Sequence, residues 1–185
     1  TETADKCDEH VQLLPGTDAA LALAMMHELI VNNWLDQDYI ARHTLGWDQL
    51  RERALLWNPE RAAQVCGVPA AQIVELARAW GTTRPAAIRL NYGVQRCAGG
   101  ANAVRAIACL PALTGAWRDP AGGLLLSSGG TYPIARAALE RSDLIPAGTR
   151  TINMSTIGDA LTATERPIKA LLDPYNPTGS TAHVR

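Results

Sequence analysis

From Asp18 to about Asn32 the chain is apolar at nearly every position, and polar side chains arrive only at His27 and Glu28. A Pro15-Gly16 turn precedes this run, and Thr17 or Asp18 stands where a side-chain oxygen caps the first helical turn. The pattern predicts one helix. A helix apolar on nearly all faces is normally buried on several sides, which places it inside a layered structure. Shorter amphipathic helices are predicted around Asp36 to Arg42 and Asp48 to Trp57, and Asn58-Pro59-Glu60 opens another helical turn. Pro69 suits the first position of a helix reaching about Trp80, with Ile73, Leu76, Ala77 and Trp80 at i, i+3, i+4 and i+7.

The periodicity changes after Gly81-Thr82-Thr83-Arg84-Pro85, a turn-like linker and candidate domain boundary. Ala86 to Tyr92, "AAIRLNY", reads as a short buried strand, followed by a glycine-rich loop and a helix from about Ala101 to Ala116 that Pro111 can kink. Beyond the Gly122-Gly123 and Gly129-Gly130 loop come a helix near Ala135 to Arg141, a strand near Thr151 to Met154, a helix near Ile157 to Leu161 and a strand Ile168 to Leu172. Val11 to Leu14 reads as a further strand. Strands alternating with helices predict an α/β fold, helix-rich, with mainly parallel strands. No internal repeat or low-complexity segment is visible.

Composition narrows the function. A chain of 185 residues that is 47% hydrophobic can bury a real core. With a net charge of -1 and scattered Lys and Arg, it carries no electrostatic footprint for nucleic acid or an anionic membrane. No apolar run approaches the ~20 residues of a membrane span, and the first residues do not form a signal peptide. The chain begins without Met, as a processed protein or an excised piece of a longer one does, so the compartment stays open. Cys7, Cys66, Cys97 and Cys109 form neither a C-x-x-C pair nor a dense disulfide framework, and free thiols are expected.

Three stretches can carry chemistry. Where the strand Val11 to Leu14 ends, Pro15-Gly16-Thr17-Asp18 puts a carboxylate at a helix mouth, the position where parallel α/β sheets collect ligands. Asp18 would repel an anion but could accept both neighbouring N–H donors of a guanine. The local pattern alone favours a simple helix cap, worth ~1 kcal/mol. The second stretch, Asn91 to Asn102, is a glycine-rich loop between a strand and a helix, suited to backbone approach to a phosphate, yet it matches neither G-x-G-x-x-G nor G-x-x-x-x-G-K-[ST]. The third, Asp173-Pro174-Tyr175-Asn176-Pro177-Thr178-Gly179, puts Asn176 after the last strand, where a turn explains it equally well. No H-E-x-x-H, G-x-S-x-G or close acid pair is present, and the four His are dispersed, so the chain carries no catalytic residues of its own.

Taken in order, "TETADKCDEHVQLLPGTDAALALAMM", "RPAAIRLNYGVQRCAGGANAVRAIACLPALTGAWRDPAGG" and "RPIKALLDPYNP" resemble the catalytic subunit of molybdopterin oxidoreductases of the dimethyl sulfoxide reductase and formate dehydrogenase type. The resemblance covers most of this chain and only a central section of such a subunit. It implies parts of two Rossmann-like layered domains, residues 1–83 as the rear of one and residues 84–185 as the front of the second. Between them such enzymes hold molybdenum or tungsten on a bis(molybdopterin guanine dinucleotide) cofactor for two-electron redox or oxygen-atom transfer on a small substrate. Asp18 would then bind a guanine with Gly16 and Thr17 beside it, which reverses the local preference for a cap. Tyr92, Gly93 and Arg96 fall where relatives contact the pterin, and Asn176 where they contact a nucleotide.

Several departures sharpen the expectation. Many relatives carry Gln where Arg96 stands, and an Arg would donate to pterin or phosphate oxygens with a different geometry. After Gly122-Gly123 the chain has Leu124-Leu125-Leu126-Ser127 in place of an Arg-containing segment, which disfavours formate as substrate, and Arg105 on the preceding helix is expected in a structural ion pair. The cysteine cluster of an iron–sulfur centre, the metal ligand and the closing barrel would lie in other parts of the subunit. The resemblance implies as partners the remaining domains of the same subunit and electron-transfer subunits, and a detached section would be inactive and prone to self-association through exposed apolar patches. The alternative is a noncatalytic α/β interaction or scaffold module that has lost the cofactor. An independent mononucleotide-binding protein is weakened by the missing phosphate fingerprints.

Overall fold

The computed structural model describes residues 2–127, 131–153, 156–163 and 165. The chain divides into two compact units, Thr1–Gly130 and Thr131–Arg185.

The first unit is built around α1 (Asp18–Val31). It is followed by α2 (Gln37–His43), α3 (Trp47–Leu55), α4 (Pro59–Cys66) and α5 (Ala70–Thr82). Then come β1 (Ala87–Arg89), α6 (Gly100–Leu113) and β2 (Gly123–Leu125), with single 3-10 turns at Ala4–Lys6, Tyr92–Arg96 and Ala116–Arg118. α1 packs on α3, α4, α5 and α6 and supplies residues to both apolar clusters of the unit. Ala22, Met25, Met26 and Leu29 face Ile40, Ala54, Ala77, Leu110 and Leu113. Ala24 faces Ala62, Cys66, Val68 and Ile73. The all-round apolar pattern thus marks a central helix, as predicted. Its one buried acid, Glu28, accepts a hydrogen bond from Asn32 Nδ2 at 3.0 Å.

Local signals start and stop these helices. The Asp36 carboxylate accepts from the Tyr39 N–H at 2.8 Å, and Asn58 Oδ1 from the Arg61 N–H at 2.9 Å, both as N-caps. Gly67 ends α4 at φ +76°, a left-handed conformation that favours glycine. Pro69 sits one position before its predicted place, as the N-cap of α5.

The sheet of the first unit has two parallel strands, with Ala87 opposite Gly123, Ile88 opposite Leu124 and Arg89 opposite Leu125. With helices around a parallel pair, the architecture is α/β and helix-rich, in agreement with the sequence. β2 was unexpected, because its Gly122-Gly123 start reads as a loop. Both glycines are needed for close approach, since a Cβ on Gly122 would collide with the Ala116 carbonyl and one on Gly123 with the Trp117 ring.

Val11 to Leu14 is not a strand. The segment makes a single ladder-like bond, Leu14 N–H to the Cys66 carbonyl at 2.9 Å. Val11 and Leu13 alternate inward onto the cluster of Ala62, Cys66 and Ile73, so packing on helices produced the two-residue period that resembled a strand. In the second unit α7 (Arg136–Glu140) and α8 (Ile157–Thr162) lie where helices were predicted. Residues 151–153 are not in a strand, and the strand predicted at Ile168 to Leu172 lies outside the described residues. No helix among the described residues is long and apolar enough to cross a membrane.

Met26 is fully buried at the centre of this packing. Met26→Ala is expected to lower unfolding stability by about 2–5 kcal/mol through the cavity it leaves. A urea titration checks this, with a lower midpoint and an unchanged slope.

Candidate functional site

The P-G-T-D turn is shaped by Gly16, whose φ of +82° is reached cheaply only by glycine. Thr17 closes the turn, its N–H and Oγ1 both donating to the Leu14 carbonyl, at 3.2 and 2.5 Å. Asp18 then opens α1. Neither side chain caps the helix, which overturns the local cap reading. Thr17 has turned its hydroxyl backwards at φ -107° and ψ 10°, and Asp18 lies inside the helix, past the capping position. Among the described residues the Asp18 carboxylate has no hydrogen bond or ion pair. It lines a cavity of about 560 Å³ whose other walls include Leu21, Met25, Trp80, Pro85 and Ile88.

The glycine-rich loop leaves the carboxyl end of β1. Leu90 continues the pairing, its N–H donating to the Leu125 carbonyl at 3.0 Å, and Asn91 Oδ1 accepts from the Tyr92 N–H at 2.8 Å. Tyr92, Gly93 and Arg96 lie on the Tyr92–Arg96 turn, all exposed. Gly93 takes no left-handed conformation, and a Cβ there would meet no protein atom within 4 Å, so neither the fold nor the backbone requires glycine at this place. Gly99 and Gly100 differ from it. Gly99 precedes α6 at φ +77°, and a Cβ on Gly100 would lie 2.5 Å from the Gln95 carbonyl oxygen.

The turn and the loop meet. A Cβ built on Gly16 would lie 3.9 Å from Cys97 Sγ, and Cys97 is held on the loop by its thiol donating to the Val94 carbonyl at 3.2 Å. The stretch carrying Gly16, Thr17 and Asp18 therefore adjoins the loop carrying Tyr92, Gly93 and Arg96. Asn176 lies outside the described residues.

Two features escaped the sequence reading. Thr83, Pro85 and Ala86, taken as part of a linker and a strand start, line the same cavity as Asp18. Arg89 ties the two strand ends together, its Nη1 donating to the carbonyls of Leu90 at 3.0 Å, Leu125 at 3.2 Å and Leu126. The signal for Arg89 was a lone charge in "AAIRLNY". Arg105 forms no ion pair among the described residues, contrary to expectation. All four cysteines are free, as expected. Burial pushes the Cys109 thiol above its ordinary range, with the Arg105 charge pulling the other way. In the second unit the Arg141 guanidinium holds the Asp143 carboxyl below the usual carboxylate range. No group of three or more His, Cys, Asp or Glu among the described residues could hold a metal ion.

Helices around a parallel strand pair, with a glycine loop at the carboxyl end of β1, place the first unit in the α/β class. Within that class the chain belongs to the molybdopterin oxidoreductase family, whose model matches residues 1–161. It is 37% identical over 171 residues to "Probable oxidoreductase YoaE" of Bacillus subtilis (strain 168), covering 92% of this chain and 25% of that protein. It is 35% identical over 131 residues to dimethyl sulfoxide reductase DmsA of Haemophilus influenzae, covering 60% of this chain and 16% of that protein. Formate dehydrogenase subunits are also among the relatives. Acetylene hydratase from Pelobacter acetylenicus shares the fold with a TM-score of 0.62 and 28% identity, over 65% of this chain and 17% of that one. The chain thus spans a quarter or less of the length of these relatives.

The two loop glycines separate structural need from any other. Gly100→Ala is expected to destabilise the chain by about 1–3 kcal/mol, because the new methyl meets backbone. Gly93→Ala should stay within about 0.5 kcal/mol of the parent. Urea midpoints of the two variants provide the comparison.

Proposed function

We propose that this chain is a cofactor-holding section of a longer molybdopterin-dependent oxidoreductase subunit. The cofactor would be a bis(molybdopterin guanine dinucleotide) carrying molybdenum or tungsten. When bound, it supplies two-electron redox chemistry or oxygen-atom transfer on a small substrate, and this section contributes binding and orientation. Residues 1–83 would close one nucleotide-binding domain and residues 84–185 would open the second. Any iron–sulfur cluster would belong to chain preceding this section, and the partners would be the remaining domains and electron-transfer subunits.

The observation that carries the reading is the Asp18 carboxylate, without a partner among the described residues, at a cavity wall. A carboxylate one residue into a helix normally contributes to stability through the first-turn N–H groups or the dipole. This one accepts no bond from them. Its acceptor sites are free for a ligand with two adjacent N–H donors, the arrangement on the guanine edge, and such charge-assisted bonds are about twice as strong as neutral ones. Gly16 and Thr17 shape the turn that presents it. Gly93 fits the same proposal, because a glycine that the fold does not need leaves room for a pterin to approach the backbone beside Tyr92 and Arg96. Asn176 is proposed to contact a nucleotide.

In the whole subunit, Asp18→Ala is expected to lower the guanine nucleotide released from the purified protein, and its bound metal, about tenfold, because a charge-assisted hydrogen bond is worth about 1.5–3 kcal/mol. The fold itself should lose no more than the helix-dipole contribution of a first-turn carboxylate, about 0.3–1 kcal/mol, since no intramolecular hydrogen bond is lost. Full cofactor content in the variant would overturn the assignment of Asp18.

A further inference from the structure

A second cleft, of about 880 Å³, opens between α3 and α6, away from Asp18, and no carboxylate lines it. On α3, Gln49 and Arg53 stand four residues apart and so share a face. On α6, Asn102, Arg105 and Cys109, three and then four residues apart, share a face as well. Trp57 and leucines of α1 and α3 complete the wall. Five other arginines, Arg42, Arg78, Arg84, Arg118 and Arg141, each have a carboxylate within 4.0 Å. Arg53 and Arg105 have none among the described residues, and neither donates a hydrogen bond to another group there. The acids nearest in sequence, Asp48 and Glu52 on α3, are not among the lining residues.

We infer that this cleft is a binding site for a phosphate-bearing small molecule, held between Arg53 of α3 and Arg105 of α6. Each guanidinium presents parallel N–H donors that match two oxygens of a phosphate. Two such groups with no anion of their own balance a doubly charged phosphate, and the amides of Gln49 and Asn102 add neutral donors from both sides. The volume falls within the ~300–1,000 Å³ of small-molecule sites. The leucine and tryptophan surfaces accommodate an apolar or aromatic body attached to the phosphate. This site is independent of the guanine reading of Asp18, since the two cavities share no lining residue.

Inorganic pyrophosphate, titrated calorimetrically into the 185-residue chain, tests it. Saturable binding is expected, weakened about tenfold or more by Arg53→Ala and by Arg105→Ala, as fits loss of a charged hydrogen-bond donor. Arg51→Ala removes the same charge from the same helix outside the cleft and should leave the affinity within about twofold, the size of a screened surface charge effect. Asp18→Ala should also leave it unchanged. Pyrophosphate should slow alkylation of Cys109 in the parent and not in Arg105→Ala. Equal weakening by Arg51→Ala would show nonspecific attraction and overturn the site, as would absence of saturable binding in a chain whose circular dichroism shows it folded.

Discussion

The packing of four helices around α1 is the constraint from which the rest of the first unit follows. Ala20, Ala22 and Ala24 keep its surface narrow, and helices α3 to α6 close around it. Met26 and Leu29 fill the space left, and burying side chains of this size contributes about 1.5–3 kcal/mol each. A helix enclosed in this way cannot slide or rotate without opening both apolar clusters. Its N-terminus is therefore a fixed point, and so is the turn that precedes it. The Leu14 N–H to Cys66 carbonyl bond and the packing of Val11 and Leu13 secure the chain entering that turn.

The second fixed point is the carboxyl end of β1. Arg89 gathers the carbonyls where β1 and β2 end, which sets the direction in which the loop leaves. Gly100 then packs against the Gln95 backbone at a distance no other residue permits. These contacts bring the loop back to the start of α6, and α6 itself is seated on α1. Hence the Gly16 turn and the Cys97 loop adjoin because both hang from one helical core. Gly93 lies between these anchors, and neither its backbone nor its neighbours restrict side-chain size there.

The helices were legible because their signals are local. An Asn or Asp cap, a proline at the start and a glycine at the end are read within one turn, and the apolar faces recur at helical spacing. The strands were less so. β1 was found by its short apolar run, whereas β2 begins at two glycines whose purpose is to admit Trp117 and the Ala116 carbonyl, a tertiary reason no local pattern carries. Val11 to Leu14 failed in the opposite direction, since inward alternation on a helical surface has the same period as a strand. For the site, Asp18 stood out as a candidate in the residue and in the family resemblance. The local odds favoured a cap, and only the geometry of Thr17 removed that explanation. The meeting of Gly16 with Cys97 spans most of the first unit in sequence and left no trace there.

Charge placement separates residues paired within the fold from residues that line a cavity. Arg118 grips Asp36 and Asp38, at 3.0 and 2.6 Å, and so ties the turn after α6 to α2. Such exposed pairs are worth only about 0–1 kcal/mol, so stability alone does not demand that every charge find a partner. Asp18, Arg53 and Arg105 go without partners among the described residues, at little cost while water reaches them. The cost arises when something covers the cleft, because a covered charge without a counterpart is penalised by several kcal/mol. Each cleft therefore rejects any occupant that fails to satisfy its charge. On the proposed readings the Asp18 cavity would exclude anions and admit N–H donors on an apolar body, while the cleft of Arg53 and Arg105 would exclude cations and admit an oxyanion. Two openings on one core would thus select for opposite chemistry without any change in the helices that build them.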